Sequence, residues 1–266
     1  MMQRAITGIV FLGVMLGGIY LGPPYLTILL AFIATVGLLE YYKLVRSEHT
    51  QPYTWVGVAA GLLGFLANLI EQPGLYSLYF ILPLIAGIEV FRKSEKPHHN
   101  LAHTIFPLVY VIAPFIFILE MGRDISGCDN PNYNPVILYI YFGTIWCYDT
   151  MAYICGRFLG RHKLLERVSP KKTWEGAIGG FICGLAVMTL CRQWLPAGLS
   201  LVEWLGFAAI VMITGTLGDL SVSVIKRKVG AKDTGTLLPG HGGILDRFDS
   251  ELLSAGPAFV YLLLLN

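Results

Sequence analysis

Charged side chains are scarce in this sequence, and the scarcity limits what kind of protein it can be. Of its 266 residues, 19 are Lys or Arg and 17 are Asp or Glu, so 14% are charged while 55% are hydrophobic. A soluble domain carries about 25% charged residues. The composition therefore excludes a soluble enzyme, a disordered chain and a secreted disulfide scaffold. It favours a polytopic helical membrane protein.

Cysteine is also sparse, and its spacing does not indicate a metal site. The five cysteines show no C-x-x-C pair, and four of them lie in long apolar runs. We interpret those four as small buried side chains rather than as disulfide partners or zinc ligands. The cysteines are Cys128, Cys147, Cys155, Cys183 and Cys191.

What the sequence has instead is a series of long apolar runs separated by short polar segments. Each run has close to the ~20 residues that a helix needs to cross ~30 Å of hydrocarbon. The sequence therefore predicts an all-α, polytopic integral membrane protein with about nine transmembrane helices. We treat it as a single transmembrane domain, with N-terminal helices over 1–140 and a catalytic half over 141–266. The predicted spans are residues 5–22, 24–42, 53–70, 74–91, 104–120, 135–156, 174–191, 199–222 and 251–266.

The placement of the cations predicts the orientation of these helices. If the N-terminus is cytoplasmic, the cytoplasmic segments hold 17 of the 19 Lys and Arg residues, and the opposite face holds only Arg123 and Arg192. Cytoplasmic loops of membrane proteins carry such an excess of Lys and Arg. We therefore predict a multi-pass protein of the inner cell membrane, with a cytoplasmic N-terminus and an external C-terminus.

Most of the chemically informative residues lie in one segment, Asp219–Asp249. It holds four carboxylates and five cations within 31 residues, interleaved with five glycines. Carboxylates bind Mg²⁺, Lys and Arg neutralise phosphate oxygens, and Gly-rich turns bring backbone N–H groups close to a phosphate. Together these groups indicate phosphoryl or nucleotidyl transfer, in which catalysis consists mainly of positioning and charge stabilisation.

Asp219 is the strongest single candidate in this segment. It ends the predicted eighth span, where an unpaired carboxylate costs about 2.5–3.5 kcal/mol. A metal ligand is therefore favoured over a helix-end acid paired with Lys226 or Arg227. The i, i+3 spacing of Asp246 and Asp249 predicts that both lie on one helical face. Asp246 is a candidate metal ligand, and Asp249 is either a ligand or the cap of the final helix.

His241 lies in the run Pro-Gly-His-Gly-Gly and has three candidate roles. A phosphate contact or a turn residue is favoured over a general base, because a phosphate monoester that attacks as the nucleophile already carries negative charge. The other candidates of the segment are catalytic or substrate-binding groups. They are Lys226 and Arg247 for catalysis, and Ser223, Arg227, Lys232, Gly242 and Gly243 for binding substrate.

A second cluster precedes the predicted seventh helix. Ser169 is the expected N-cap and Pro170 the first turn, which would place Lys171 and Lys172 at the positive end of that helix. We favour these two lysines as triphosphate ligands over ordinary basic residues of a cytoplasmic loop.

Asp149, Glu40 and Glu89 are three further acids near the ends of predicted spans. Asp149 lies near the cytoplasmic end of the sixth span and is a candidate metal ligand, with Tyr153 one turn later as a candidate substrate contact. Glu40 and Glu89 end their spans beside basic residues, so we interpret both as interfacial side chains.

The polar segments resemble those of the phosphatidate cytidylyltransferases (CDP-diacylglycerol synthases). The run Ser-x-x-Lys-Arg-x₄-Lys-Asp-x-Gly-x₂-Leu-Pro-x-His-Gly-Gly-x-x-Asp-Arg-x-Asp, over 223–249, is similar to the C-terminal signature of that family at all 27 positions. Asp149–Arg157 and Ser169–Gly176 are similar to two further stretches of the family. The resemblance therefore covers roughly residues 145–250 in specific motifs, and the N-terminal half only in hydropathy.

The resemblance implies a reaction of CTP with phosphatidate that gives CDP-diacylglycerol and pyrophosphate. It implies Mg²⁺ at a centre that involves Asp219 and Asp246, and it leaves open a second metal or a monovalent cation. It also implies a homodimer in the lipid bilayer with its active site facing the cytoplasm, and no nucleic-acid partner. Two alternatives remain: a CTP-dependent lipid kinase, which would release CDP instead of pyrophosphate, and a secondary transporter.

Overall fold

The computed structural model of the chain describes residues 2–47, 50–70, 74–92, 94–123, 133–237 and 242–265, without the side chains of 2–6 and 74–80. His241 and Cys128 lie outside these residues. In the described ranges the chain is predominantly helical, and the apolar runs of the sequence are helices. The predicted all-α fold class is confirmed.

The helices follow one another with short connections, and one two-stranded hairpin interrupts them. The helix α5 continues through a π-helical turn, Leu108–Ile112, into α6, and a 3₁₀ turn, Arg192–Trp194, extends α8. The helices are α1 (Met2–Leu21), α2 (Pro23–Val45), α3 (Thr54–Leu69), α4 (Gly74–Phe91), α5 (Pro97–Pro107), α6 (Ala113–Gly122), α7 (Pro135–Leu159), α8 (Trp174–Cys191), α9 (Leu201–Lys228) and α10 (Glu251–Leu265). The strands are β1 (Lys163–Leu165) and β2 (Ser169–Thr173).

Several helices have proline in their first turn. Proline lacks a backbone N–H group, and in the first turn that group would have no acceptor within the helix. Pro23, Pro97 and Pro135 begin α2, α5 and α7. The side chain of Asn134 caps α7 by accepting a hydrogen bond from Val136 N at 3.0 Å. These starts follow the usual preference for proline at the first helical position and for Asn at the cap.

Four helical stretches in the described residues are long and apolar enough to cross a membrane, by length and composition. Shorter apolar helices lie beside them in the sequence, including Thr54–Leu69 and Glu251–Leu265. The helices and their composition together are those of a membrane protein. The four long stretches are Pro23–Val45, Pro97–Gly122, Trp174–Trp194 and Leu201–Lys228.

The chain forms two compact units, which we describe separately. The first comprises Met1–Leu119 and Lys228–Phe248, and the second comprises Glu120–Arg227 and Asp249–Asn266. In the first unit, the fully buried ring of Phe248 packs edge-on against Phe11 and Phe115, with ring centroids 5.4 and 5.3 Å away. This apolar anchor attaches the returning C-terminal loop to the N-terminal helices of the unit.

Glu89 lies in the first unit, where it is a buried, hydrogen-bonded acid; its interpretation as interfacial stays a prediction. Its side chain is buried, with 4% of its surface exposed, and accepts hydrogen bonds from Tyr53 and Ser94. The amide of Asn100 also donates to it, at 3.4 Å. This carboxylate joins α4 to α5 and to the loop before α3, which is a structural role.

In the second unit, α7 and α8 pack closely through small residues. A Cβ atom added at Gly180 would lie 2.7 Å from the Cα of Ala152, and one at Gly176 would lie 3.0 Å from the Cα of Gly156. Only glycine allows the two backbones to approach this far. The small-residue spacing of α8 therefore serves helix packing.

The segment before α8 differs from the prediction. Ser169 does not cap the helix: it lies in β2, opposite Leu165 of β1, in an antiparallel hairpin. The N-cap is Thr173, whose hydroxyl accepts a hydrogen bond from Gly176 N at 3.1 Å. Both Ser and Thr are good caps, and here the later one begins the helix because Ser169 and Pro170 continue the strand.

Candidate active site

The centre of the candidate site is an ion pair in the second unit. Lys172, at the end of β2, places its ammonium against Oδ2 of Asp219 on α9. Asp149 of α7 and Asp249, just before α10, also interact electrostatically with this ammonium. Three carboxylates that the sequence marked as candidate metal ligands are therefore grouped around one cation.

A close backbone contact brings Asp249 beside α9. A Cβ atom at Gly218 would collide with the carbonyl of Asp249 and would lie 3.0 Å from that of Ser250. The glycine that precedes Asp219 therefore lets the chain before α10 lie directly against α9. Asp249 is not on a helix, because residues 244–250 form turns. The expectation that Asp246 and Asp249 share a helical face is wrong.

The acids of the cluster repel one another and stabilise the ammonium of Lys172. Burial raises the pKa of Asp249 well above its usual range, and the charges of Asp219 and Asp149 raise it further. Burial lowers the pKa of Lys172, but the attraction of Asp219, supported by Asp149 and Asp249, outweighs burial and raises it. Lys172 therefore remains an ammonium at neutral pH, and one ammonium faces three acids.

A cavity of about 340 Å³ in the second unit opens beside this ion pair. One wall consists of small residues from the α7–α8 contact, and three cations, Arg157, Lys171 and Lys172, line its polar part. The shape therefore combines apolar surface with phosphate-binding groups. The lining residues are Tyr148, Asp149, Ala152, Tyr153, Gly156, Arg157, Leu164, Lys171, Lys172, Thr173, Gly176, Ala177, Thr216 and Asp219.

Several candidates on α9 and α7 also lie at this site. Ser223, one turn after Asp219, donates a long hydrogen bond to its Oδ1 at 3.4 Å. The charge of Lys226 acts on Asp249, and Arg227 Nε donates to the carbonyl of Val168 at 3.4 Å. Tyr153 accepts from Arg157 Nη1 at 3.3 Å at the cavity. The sequence predicted Asp219 as a metal ligand or as a partner of Lys226 or Arg227. It did not predict the ion pair with Lys172.

Sequence reasoning did not assign a role to Glu175, which fixes the hairpin that carries Lys172. Its carboxylate accepts from the backbone N of Arg161 at 3.0 Å and of His162 at 3.1 Å. Acids are common in the first turn of a helix because the free N–H groups there favour them. Glu175 therefore ties the start of α8 to the residues that enter β1.

Asp246 lies in the first unit, where one of its oxygens is held by three donors. Oδ2 accepts from Thr234 N at 2.7 Å, from Thr234 Oγ1 at 3.0 Å and from Gly243 N at 3.0 Å. Gly242 has a φ of 82°, and a Cβ atom there would lie 2.7 Å from the same oxygen. The two glycines thus shape the loop around Asp246, while Lys232 and Arg247 of this unit are exposed.

The same loop contacts Glu40, whose interpretation as interfacial stays a prediction. Glu40 is 9% exposed, and it accepts from Ile244 N at 2.9 Å, from Leu245 N at 3.0 Å and from Thr234 Oγ1 at 2.9 Å. An ionisable residue inside an apolar span is by default a functional candidate. Glu40 lies within the predicted span 24–42, so its position in the sequence already makes it a candidate by this rule.

The donor chemistry of the second-unit cluster suits a hard divalent cation. Among the residues described, no group of three or more His, Cys, Asp or Glu side chains already surrounds a metal position. Mg²⁺, however, is commonly held by one or two carboxylates together with substrate phosphates and water. Carboxylates that already attract a lysine ammonium fit that mode of binding.

The chain resembles known proteins over most of its length. The model of the cytidylyltransferase family matches residues 2–265. The phosphatidate cytidylyltransferase of Staphylococcus saprophyticus is 35% identical over 249 residues, which cover 91% of this chain and 90% of that protein. Those of Staphylococcus haemolyticus and Staphylococcus aureus are each 33% identical, over 94% and 84% of this chain and 94% and 77% of their own lengths.

Proposed function

Because this chain belongs to the cytidylyltransferase family, we propose that it transfers the CMP moiety of CTP to phosphatidate. The products are CDP-diacylglycerol, a precursor for phospholipid synthesis, and pyrophosphate. The observation that supports this most strongly is the Lys172–Asp219 ion pair at a cavity lined by further cations. The cations can neutralise phosphate oxygens, and the acids beside them can hold a divalent cation.

The chemistry requires charge stabilisation more than proton transfer. A phosphate oxygen of phosphatidate attacks the α-phosphorus of CTP, the bond to the bridging oxygen breaks, and pyrophosphate leaves with that electron pair. Lys172, Lys171 and Arg157 line the cavity and would neutralise the phosphate oxygens on which this charge develops. Since the attacking oxygen is already anionic, the reaction needs no general base.

Mg²⁺ is part of the proposal, and the acids of the second unit are its proposed ligands. When bound, it would supply positive charge to the triphosphate. Asp219, with Asp149 and Asp249 nearby, would hold it. Asp246, in the first unit, stays a separate candidate ligand. The hydrogen bonds from Thr234 and Gly243 orient the carboxylate of Asp246, as hydrogen bonds usually orient carboxylates that bind metals.

The arrangement in the membrane is proposed from the charges and the helices together. We place about nine transmembrane helices in the inner membrane, with the N-terminus and the active site in the cytoplasm and the C-terminus outside. The separation of 17 cations from two supports this orientation. The homodimer implied by the family resemblance is likewise a prediction.

Product identity distinguishes this function from its alternatives. Protein reconstituted with phosphatidate, CTP and Mg²⁺ is expected to release pyrophosphate and to form CDP-diacylglycerol in equal amounts. Release of CDP with a phosphorylated lipid would instead identify a lipid kinase. Substrate flux across proteoliposomes without nucleotide turnover would identify a transporter.

A further inference from the structure

A carboxylate from the second helix lies inside the C-terminal loop of the first unit. Glu40 is buried on α2, and its two oxygens accept hydrogen bonds from two consecutive backbone N–H groups, those of Ile244 and Leu245, at 2.9 and 3.0 Å. One side chain thus satisfies two backbone donors of the loop. The loop conformation therefore depends on a side chain some 200 residues earlier in the chain.

The loop is also shaped to fit this carboxylate. A Cβ atom at Gly235 or at Gly243 would collide with the oxygens of Glu40. Gly243 has an ordinary φ, so its need for glycine arises from this close approach rather than from backbone conformation. Two glycines on either side of the loop thus leave room for one side chain from α2.

Thr234 connects Glu40 to Asp246. Its hydroxyl lies 2.9 Å from Oε2 of Glu40 and 3.0 Å from Oδ2 of Asp246, while its backbone N donates to that same Asp246 oxygen at 2.7 Å. A hydroxyl carries a single proton, so the two carboxylates compete for it. The position of Glu40 therefore affects which hydrogen bonds hold Asp246.

We propose that Glu40 is a positioning residue for CMP transfer, which acts by fixing Ile244 and Leu245 and, through Thr234, the orientation of Asp246. This inference rests on the proposed function. Glu40 lies outside the signature run of the C-terminal segment, so no motif marks it. It differs from Glu89, a comparably buried acid of the same unit, whose donors are Tyr53, Ser94 and Asn100 rather than the loop.

The first test compares Glu40→Gln with Glu89→Gln. The amide of Gln places a donor opposite the donors of the loop, so Glu40→Gln is expected to lower kcat by about 10- to 100-fold, as outer-shell changes at metal sites do. The Mg²⁺ concentration for half-maximal activity should rise while KM for phosphatidate stays unchanged. Glu89→Gln should leave all three close to wild type.

A readout independent of activity is amide hydrogen exchange. In Glu40→Gln, the amides of Ile244 and Leu245 should exchange faster than in the wild type, whereas Glu89→Gln should leave them unchanged. Loss of activity with unchanged exchange at these two amides would contradict a positioning role, as would an active Glu40→Gln enzyme.

Two conservative substitutions of Thr234 test whether Glu40 acts through its hydroxyl. Thr234→Val removes the hydroxyl at nearly constant shape and is expected to lose activity, and Thr234→Ser restores the hydroxyl and should restore activity. If Glu40 acts through Thr234, Glu40→Gln and Thr234→Val combine with less than additive loss. Fully additive losses would overturn this route. The Thr234 pair also tests the inference if Glu40→Gln does not fold.

Failure of the proposed function and failure of the role of Glu40 would give different results. A wild-type protein that makes no CDP-diacylglycerol would overturn the proposed function itself. An active wild type with an equally active Glu40→Gln variant would overturn only the role of Glu40.

Discussion

Lys172 carries the positive charge at the centre of the candidate site. It lies in the hairpin between α7 and α8, while its partner Asp219 lies on α9, 47 residues later in the chain. The sequence identifies both residues as candidates, because charged groups stand out in an apolar chain. It does not identify them as partners, because their contact depends on how the hairpin folds back.

Replacing Lys172 tests the importance of this charge. Lys172→Met keeps the aliphatic stem but leaves Asp219 without its partner. Breaking a fully buried pair costs about 3–5 kcal/mol, and this pair, with side chains 30% and 24% exposed, is expected to cost less. We expect kcat/KM for CTP to fall by at least ~100-fold, which corresponds to about 2.7 kcal/mol. Steady-state kinetics measure this, with Lys163→Met of the same hairpin as the control. Near-normal kinetics in Lys172→Met would exclude a role in binding phosphate.

The α7–α8 pair is the element on which the cavity is built. The close approach of the two helices at Gly180 and Ala152 places Asp149, Tyr153 and Arg157 along one wall. Helix packing of this kind needs small residues, because a side chain at the contact would separate the backbones.

A methyl group at this contact is therefore expected to destabilise the protein. Gly180→Ala would place Cβ 2.7 Å from the Cα of Ala152, and overpacking of this kind costs typically about 1–3 kcal/mol. Thermal unfolding in detergent should show a lower midpoint. The matched control is Gly143→Ala on α7, where a Cβ atom would meet nothing within 4 Å, so the midpoint should stay or rise. Equal midpoints for both variants would contradict the described contact.

The elements differ in how well their sequence predicts them. The helices could be predicted, since long apolar runs with proline at their starts leave few other structures. The hairpin over Lys163–Thr173 could not, because Ser169 and Thr173 are equally good caps and only the pairing with Leu165 decides between them. The role of Glu40 also depends on a distant contact, with Thr234, 194 positions away.

At the scale of the whole molecule, the chain leaves the first unit after Leu119 and returns to it at Lys228–Phe248. Nothing local in the sequence marks this return. It is fixed by the anchor of Phe248 among the rings of the N-terminal helices and by the hydrogen bonds of Glu40.

The orientation in the membrane makes a prediction at this scale. Glu166 in the hairpin and Ser200 before α9 flank Trp174–Trp194, a stretch of 21 residues that is long enough to span the bilayer. In a background without native cysteines, Ser200→Cys should react with an impermeant maleimide on intact cells, and Glu166→Cys only after permeabilisation. The reverse pattern would contradict a cytoplasmic active site.

The central claim is that the cluster around Asp219 transfers CMP to phosphatidate. The most direct measurement follows radiolabelled CMP from CTP into lipid, with pyrophosphate quantified in the same reaction, for the wild type, Asp219→Asn and Glu203→Gln. Glu203 is a partly exposed acid in the first turn of the same helix, far from Asp219, and serves as the matched control. We predict equal amounts of labelled lipid and pyrophosphate from the wild type and from Glu203→Gln, and neither product from a folded Asp219→Asn. Labelled lipid from Asp219→Asn at the wild-type rate would contradict the account.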